Sequence, residues 1–345
     1  MNSILENKAF LFLICLLLGI LTSFSLPPYN LFFINFLTLP VLLYILVNYV
    51  DKKTISFFVG WIFGFGYFIS NLYWITNSLT FDVNFKFIIP FALILIPLFL
   101  GIFYGLVTFL CNFFNLKNKI SSILIFSIIF GGIEFLRSFV FGGFPWNLVV
   151  FSLSNNLTSL QILSYIGTYS LNLLSITIFL LPIIFFFKYK SLTKFLISSL
   201  SLILVGINII YGNLIIKNFE KKKHDNLSSI IRVVSPNIPI EKFLTNQNTK
   251  KNIDELITLS DPNKDEKKIF IFPEGIITSI YFKDLKLFKN IFEKKLNINH
   301  KVILGINSIK QNKIYNSLVA LNNESDLLYK YNKNKLVPFG EFLPF

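Results

Sequence analysis

The stretch Phe87–Phe114 reads FIIPFALILIPLFLGIFYGLVTFLCNFF and contains no charged side chain. It exceeds the roughly 20 apolar residues that an α-helix needs to cross the hydrocarbon layer of a bilayer. The same criterion selects six further runs, which are Ala9–Leu26, Leu31–Val50, Thr54–Leu72, Ile120–Phe141, Leu157–Phe187 and Phe195–Ile216. The sequence therefore predicts a multi-pass α-helical membrane domain over residues 1–216, with about seven transmembrane helices.

Charged side chains are distributed unevenly along the chain. Residues 1–216 carry 14 of the 50 charged side chains, and residues 217–345 carry the other 36. This change predicts a domain boundary near Ile216, followed by a water-facing domain. The formal net charge of +14 does not indicate a nucleic-acid partner, because the lysines are scattered among Asn and Ile and form no recognition helix.

Lysines in the loops predict the orientation of the membrane domain. The loops after the second, fourth and sixth runs carry seven lysines, whereas those after the first, third and fifth carry only Lys86. Because positive loops favour the cytoplasmic side, the amino terminus is predicted to be cytoplasmic. An odd number of crossings then places residues 217–345 in the periplasm, outside a bacterial inner membrane.

Residues 217–345 alternate between strand-like and helix-like segments. Strands are predicted at Ser229–Ser235, Lys268–Phe272, Val302–Ile306, Lys313–Leu321 and Leu327–Tyr331, and amphipathic helices at Asn248–Leu259 and Asp284–Leu296. Strands that alternate with helices are typical of α/β layer architectures. We therefore expect an α/β domain after the membrane part.

Two ionisable residues interrupt the fifth apolar run. Glu134 and Arg137 are spaced to lie on one helical face, where they can pair. An ionisable group within the membrane costs free energy, so a functional or packing role is one interpretation of the pair. The other is that both residues lie near the interface and their side chains extend to place the charges in water. The charge-free loop that follows contains Phe144, Pro145 and Trp146. These residues either line a lipid access path, or Trp146 belongs to the ordinary belt of aromatic residues at the membrane interface.

Cysteine and histidine usage argues against disulfide and metal sites. Cys15 and Cys111 both lie in apolar runs, so we expect buried small hydrophobic residues and no nucleophile. His224 and His300 have no second ligand at metal spacing, and surface positions are predicted for both. We expect neither a metal ion nor a cofactor.

Three polar residues of the second domain are candidates for catalysis. Glu274, in Pro273–Gly275, ends a predicted strand, where rigid scaffolds place catalytic groups; a helix-start carboxylate is the alternative. Tyr331, Lys333 and Lys335 are spaced two residues apart, so their side chains project to one face if the strand continues. The alternative is that the lysines belong to a solvated edge of the sheet and have no catalytic role. Glu341 follows in the turn sequence PFGE.

The order of these motifs, PEG, then YNS, then YNKNKLVPFGE, resembles the carbon–nitrogen hydrolase, or nitrilase, superfamily. With the membrane runs, EFLR at Glu134–Arg137 and GFPW at Gly143–Trp146, the whole chain resembles the apolipoprotein N-acyltransferase family. The resemblance implies that residues 217–345 are a partial nitrilase-like α-β-β-α sandwich. It also implies transfer of an acyl chain from a membrane phospholipid to the α-amino group of the diacylglyceryl-modified cysteine of an apolipoprotein, through a thioester.

The same resemblance implies roles for individual residues. Glu274 takes the place of the general base, Lys333 that of the oxyanion-stabilising lysine, and Glu341 that of a supporting acid. Phe243 lies near a position where the family commonly has Trp, and it joins Phe144–Trp146 as an expected lining of the substrate and lipid path.

The sequence departs from the family pattern after these motifs. The family nucleophile is a cysteine in a CYE-like motif beyond PFGE, and the sequence stops at Phe345 without one. We therefore expect a carboxy-terminally truncated family member that is inactive as it stands. Lys335 also replaces a His that the family usually shows before LVPFGE.

Two other function classes remain open. A membrane-anchored nitrilase-type amidohydrolase would use the same residues, although a simple tether needs one crossing and not about seven. A non-catalytic lipoprotein-binding membrane protein is the second alternative. A transporter is disfavoured, because the sequence shows none of the inverted repeats that such proteins carry.

Overall fold

The chain folds into two compact units, Met1–Lys222 and Lys223–Phe345. The computed structural model describes residues 7–80, 83–221, 229–237, 249–337 and 341. Each unit has its own hydrophobic core. Ile216, where the charge distribution changes, lies inside the last helix of the first unit.

The first unit is helical. Its helices α1 to α7 span Lys8–Ser23, Asn35–Tyr49, Lys53–Leu72, Ile89–Asn112, Ile120–Arg137, Leu163–Leu180 and Ser191–Lys221. Short 3-10 segments connect or extend them at Phe32–Ile34, Tyr73–Thr80, Val83–Ile88, Val140–Gly142, Val149–Leu153 and Leu181–Phe186. A single helical turn at Leu157–Leu160 precedes α6.

Among the described residues, six helical segments are long and apolar enough to cross a membrane. They are Phe32–Tyr49, Lys53–Thr80, Val83–Asn112, Ile120–Arg137, Leu163–Phe186 and Ser191–Lys221. Helix α1 is apolar, but its 16 residues cover only about 24 Å of the ~30 Å hydrocarbon layer. The predicted multi-pass helical architecture is confirmed, and the count of seven crossings stays a prediction.

Helices α3 and α4 approach each other closely through small residues. An added Cβ atom on Gly64 would lie 2.9 Å from Gly101 Cα, so the two backbones nearly touch there. Ser56 Oγ donates to Thr108 O at 2.7 Å, and Thr108 Oγ1 donates to Ser56 O at 2.6 Å. These reciprocal bonds fix the register between the two helices.

The second unit is built on a mixed sheet. Its strands β1 to β6, counted over the described residues, span Ile230–Val233, Lys268–Ile271, Ile277–Tyr281, His300–Lys310, Lys313–Leu321 and Leu327–Asn332. The strand order is β1-β2-β4-β5-β6, and β3 also pairs with β4. Strands β1, β2 and β4 run parallel, whereas β5 and β6 continue the sheet antiparallel.

Helices cover the sheet and complete the α/β architecture predicted from the sequence. Helix α8 spans Thr249–Leu259, and α9 spans Lys289–Lys295 after a 3-10 segment at Phe282–Phe288. Side chains from both helices share one core cluster with inward-facing strand residues. The predicted α/β domain is thereby confirmed, although β3 was not predicted.

Strand β3 escaped prediction because it is short and irregular. It follows the turn at Pro273–Gly275 and pairs with β4 only at Ile277 and Tyr281, with a register shift between them. The predicted helix at Asp284–Leu296 likewise begins as a 3-10 segment and becomes α-helical only at Lys289.

Candidate functional site

Glu274 projects from a turn that lies directly against a neighbouring strand. The turn Pro273–Gly275 follows β2, and Gly275 has a φ of +60°, which glycine adopts without strain. An added Cβ atom on Gly305 in β4 would lie 2.8 Å from Glu274 Cα. Only glycine therefore fits at position 305, and β4 fixes the backbone from which the Glu274 side chain extends.

Lys333 follows β6 directly and reaches both predicted carboxylates. Its backbone N–H donates to Asn316 O at 2.8 Å, which prolongs the pairing with β5. Its Nζ lies 2.9 Å from Glu274 Oε1 and 2.9 Å from Glu341 Oε1. The structure thus brings together Glu274, Lys333 and Glu341, which the chain carries in separate segments.

Asn316 joins these three residues and was not predicted as a site residue. Its Nδ2 donates to Glu274 Oε1 at 2.6 Å and to Glu341 Oε1 at 3.0 Å. One amide carries two N–H donors, so a single Asn can serve both carboxylates. The signal was present in the YNS motif at Tyr315–Ser317, which carried the resemblance without a role for its Asn.

Glu341 is held by the backbone as well as by side chains. Its Oε2 accepts the Val337 N–H at 2.8 Å, and its own N–H donates to Val337 O at 2.9 Å. Burial by itself raises the pKa of the Glu341 carboxyl, but hydrogen bonds from Val337 N–H, Lys333 and Asn316 outweigh it and lower the pKa. Glu341 therefore remains ionised at neutral pH.

The Lys333 ammonium is stabilised in its charged form. Hydrogen bonds to Glu341 and then to Glu274 raise the pKa of Lys333 above its ordinary value. The Lys333 side chain is 28% exposed and that of Glu274 is 61% exposed. Ion pairs of this exposure stabilise a fold by only about 0–1 kcal/mol, so stability alone does not account for the arrangement. A cation beside an accessible carboxylate can stabilise an oxyanion and relay a proton.

Of the predicted lipid-access residues, Trp146 lines an aromatic cavity in the helical unit. Trp146 is 50% exposed, and its ring lies 5.5 Å from that of Phe144 and 5.4 Å from that of Trp74. Pro145 between them is exposed. A cavity of about 300 Å³ is lined by Leu26, Pro27, Trp74, Trp146, Asn147, Phe151 and Ser154. Phe243, the fourth predicted lining residue, lies outside the described residues.

Other sequence predictions met different outcomes. Cys15 and Cys111 are buried in the helical unit, as expected. The prediction of a surface position for His300 is wrong, because its ring is buried at the start of β4 and bonds to Asn297 N and Asn263 O. His224 lies outside the described residues. No cluster of metal-ligating side chains occurs in the part of the chain that the structure describes.

Glu134 and Arg137 form the pair that their spacing predicts. Arg137 Nη2 lies 3.6 Å from Glu134 Oε1, and the two side chains are 0% and 1% exposed. Neither charge therefore reaches solvent by extension, whereas the position of the pair relative to the membrane interface stays a prediction.

Comparison with known proteins places the chain in a family. Residues 18–181 match the family model described as the apolipoprotein N-acyltransferase N-terminal domain. Proteins named apolipoprotein N-acyltransferase are similar over nearly the whole chain. That of Rickettsia prowazekii (strain Madrid E) is 31% identical over 341 residues, covering 96% of this chain and 66% of the relative. That of Brucella melitensis biotype 1 is 25% identical over 348 residues, covering 95% of this chain and 64% of the relative.

A third relative gives the same result. The apolipoprotein N-acyltransferase of Rickettsia bellii (strain RML369-C) is 31% identical over 339 residues, covering 95% of this chain and 65% of the relative. The chain thus spans 64% to 66% of the length of these relatives. Both the helical unit and the α/β unit take part in the similarity, and the chain belongs to the apolipoprotein N-acyltransferase family.

Proposed function

We propose that this chain acts in the N-acylation of lipoproteins and that Glu274, Lys333 and Glu341 form part of the catalytic site. The observation that carries the proposal is the position of Lys333 Nζ, 2.9 Å from both carboxylates. A strand-end glutamate beside a lysine, in an α/β unit, also supports membership of the nitrilase superfamily.

Both proposed substrates carry lipid chains. The acyl donor is a membrane phospholipid, and the acceptor is the α-amino group of the diacylglyceryl-modified amino-terminal cysteine of an apolipoprotein. The six helical segments of membrane-spanning length among the described residues support this proposal, because such substrates stay in the bilayer. We propose no metal ion, cofactor or nucleic acid for the reaction.

In the first half-reaction, a cysteine thiol attacks the ester carbonyl of the phospholipid. Glu274 accepts the thiol proton, and the Lys333 ammonium stabilises the oxyanion of the tetrahedral intermediate. The intermediate collapses to a thioester, and Glu274 returns the proton to the departing alkoxide oxygen. An ammonium has three N–H donors, and the contacts described here use two of them for carboxylates, leaving one for the oxyanion.

In the second half-reaction, the amine of the lipoprotein attacks the thioester carbonyl. Glu274 takes a proton from the attacking nitrogen, and Lys333 again stabilises the oxyanion. The C–S bond breaks, the thiolate takes the proton from Glu274, and the product is an amide. Glu341 and Asn316 hold Lys333 and Glu274 in place during both steps.

The nucleophile is proposed to be a cysteine that is not among these 345 residues. The sequence contains Cys15 and Cys111 alone, and both are buried in helices of the first unit. Residues 217–345 contribute the glutamates and the lysine but no thiol. The chain by itself should then form no thioester.

The proposed location is the bacterial inner membrane, with a cytoplasmic amino terminus and a periplasmic second unit. The lysine-rich loops after alternate apolar runs support this orientation. We further propose that Phe144, Pro145, Trp146 and Phe243 line the path of the lipid substrates. The aromatic cavity supports that role for Trp146, which lines it, and the Phe144 ring packs against Trp146 at 5.5 Å.

The test uses the chain expressed together with the coding sequence that follows Phe345, termed the extended protein. Membranes containing it are supplied with an acyl-labelled phospholipid and a diacylglyceryl lipopeptide with a free amine. We expect the lipopeptide to gain one acyl chain. Replacing the general base, Glu274→Gln, should reduce the rate by roughly 10²–10⁴-fold, and Lys333→Met by roughly 10²–10³-fold.

Glu255→Gln is the matched control, since Glu255 forms an exposed ion pair with Lys251 on helix α8. It should leave the rate unchanged. Hydrolysis of an added amide substrate, without lipopeptide acylation, would favour the amidohydrolase alternative. Acyl transfer by the 345-residue chain alone would refute the proposal that the thiol lies outside it.

A further inference from the structure

A second polar cluster lies inside the helical unit, and the proposed chemistry gives it no task. Glu134 and Arg137 form its centre, with side chains 1% and 0% exposed. Charged groups at membrane depth are costly and are retained where they do something that apolar side chains cannot. The contacts of Glu134 and Arg137 indicate a role in positioning the surrounding backbone.

The Glu134 carboxylate connects three helices. Tyr104 of α4 donates its OH to Glu134 Oε1 at 3.1 Å, and Asn172 of α6 donates Nδ2 to Glu134 Oε2 at 2.5 Å. The backbone N–H of Val149 is a further donor to the same carboxylate. A carboxyl group that accepts several hydrogen bonds and lies beside a guanidinium is fixed in place.

The cluster also holds the backbone of the segment that follows α5. Phe144 N–H donates to Arg137 O at 2.9 Å. Tyr67 donates its OH to Asn147 O at 3.0 Å, and Val150 N–H donates to Asn172 Oδ1 at 2.9 Å. These three bonds give the irregular backbone of the segment partners within the helical unit.

The segment 144–150 turns at Asn147, whose φ of +56° lies in the left-handed region. Asn adopts this region more readily than most residues other than glycine, so the turn suits the residue that occupies it. The Tyr67 bond to Asn147 O acts at this residue, next to Trp146 in the cavity wall.

Arg137 acts on the same segment through aromatic rings. Its guanidinium carbon lies 5.2 Å from the Phe68 ring centroid and 5.7 Å from that of Phe144. Its three side-chain nitrogens have no hydrogen-bond acceptor among the described residues. The cation is therefore placed by Glu134 and by the two rings, and it fixes the Phe144 ring on which Trp146 packs.

We propose that Glu134, Arg137 and Asn172 are positioning residues that set the wall of the aromatic cavity. By holding segment 144–150, they place Trp146 and Asn147 so that the ~300 Å³ space between them and Trp74 accepts one acyl chain. The acyl-chain occupant rests on the proposed function, whereas the positioning of the wall does not.

The test follows Trp146 fluorescence in the full chain reconstituted in phospholipid vesicles. Substituting the other two tryptophans, Trp61→Phe and Trp74→Phe, leaves Trp146 as the single reporter. In this background, Asn172→Leu and Glu134→Gln should increase acrylamide quenching of Trp146 at least twofold. Thr108→Val is the matched control, because it removes a buried bond between α3 and α4 without a contact to segment 144–150.

Thr108→Val should lower the thermal midpoint and leave the quenching unchanged. Equal quenching in Asn172→Leu and Thr108→Val would overturn the proposal. If Asn172→Leu shows no cooperative unfolding, Tyr67→Phe decides, since it removes only the hydroxyl that bonds Asn147 O. Unchanged quenching in Tyr67→Phe would then overturn the proposal, and increased quenching would support it.

A second arm uses vesicles whose acyl chains carry bromine deep in the bilayer. An acyl chain in the cavity should quench Trp146 strongly, and Asn172→Leu should reduce this quenching. Absence of quenching by brominated chains, with the acrylamide effect intact, would remove the acyl-chain occupant and the proposed lipid path. The positioning role of the cluster would stand in that case.

Discussion

Gly305→Ala should displace the general base without touching any ionisable group. The added Cβ atom would lie 2.8 Å from Glu274 Cα and 2.9 Å from its carbonyl carbon, and closer still to Gly275 N. Ordinary contact begins at 3.4 Å, so the turn that carries Glu274 must move by about 0.6 Å or more. These neighbours are backbone atoms, which cannot rotate away as a flexible side chain can.

That displacement is large compared with the tolerances of the site. Glu274 Oε1 accepts bonds of 2.9 Å from Lys333 and 2.6 Å from Asn316, which such a movement lengthens or misaligns. A misplacement of 1 Å costs on the order of 10²-fold in rate. We therefore expect the kcat/KM for lipopeptide acylation by the extended protein to fall at least roughly tenfold. Overpacking should also lower the free energy of unfolding by about 1–3 kcal/mol.

The assay compares Gly305→Ala with Gly206→Ala in helix α7. An added Cβ atom on Gly206 meets nothing within 4 Å, so this control should keep full activity and gain up to about 1 kcal/mol from helix propensity. Wild-type activity and stability in Gly305→Ala would refute the steric reasoning. A loss of stability with unchanged kcat/KM would show that the position of Glu274 does not matter for the reaction.

Three further predictions concern charge. Glu341→Gln should lower the pKa of Lys333 toward its ordinary value, because the largest cause of the raised pKa is the bond to Glu341, and the alkaline limb of the pH–rate profile should move down. Lys333→Met should lower the free energy of unfolding most between the pKa values of Glu341 and Lys333. The Lys333 contribution to stability is complete below its ordinary pKa of 10.5 and is lost as the pH rises through the raised value. The Glu341 contribution is present above its ordinary pKa of 4.5 and is lost as the pH falls through the lowered value, and denaturant unfolding from pH 3 to 12 should show both limits. Arg137→Met should cost about 3–5 kcal/mol in detergent unfolding, because it leaves the Glu134 charge buried and unpaired, whereas Glu134→Leu combined with Arg137→Met should cost less.

Each of these predictions has a clear contrary result. An alkaline limb that does not move in Glu341→Gln would mean that Glu341 does not stabilise the ammonium. A stability loss in Lys333→Met that does not vary with pH would assign it to packing. A double variant at Glu134 and Arg137 that loses the sum of both single effects would show that the two charges are independent.

Local chemistry explains which elements the sequence analysis predicted well. An apolar run must be long to span a bilayer and continuous to avoid exposing charge, so the membrane helices can be predicted from composition alone. Strand β5, Lys313–Leu321, has the bounds predicted from the sequence, because turn-favouring residues border it on both sides. Strand β3 is short, and its pairing with β4 includes a register shift that no local pattern encodes.

The buried position of His300 shows the same limit from the other side. A lone histidine has no sequence signal for burial, and its place in the fold depends on partners at Asn297 and Asn263, which the sheet and its loops bring to the ring. The partners of Glu134, Tyr104 on α4 and Asn172 on α6, could not be predicted from the sequence either, because the packing of the helices decides which hydroxyl and which amide contact the carboxylate.

By itself, the sequence determined a helical membrane part, an α/β part and the residue types of the candidate site, because each depends on hydrophobic length, periodicity or short motifs. Only the tertiary structure decided that Glu274 and Lys333 meet, that Asn316 bridges the two glutamates and that Gly305 sets the turn. The physical reason is that these contacts follow from the order and register of β2, β4, β5 and β6, and register is a property of strands paired in space.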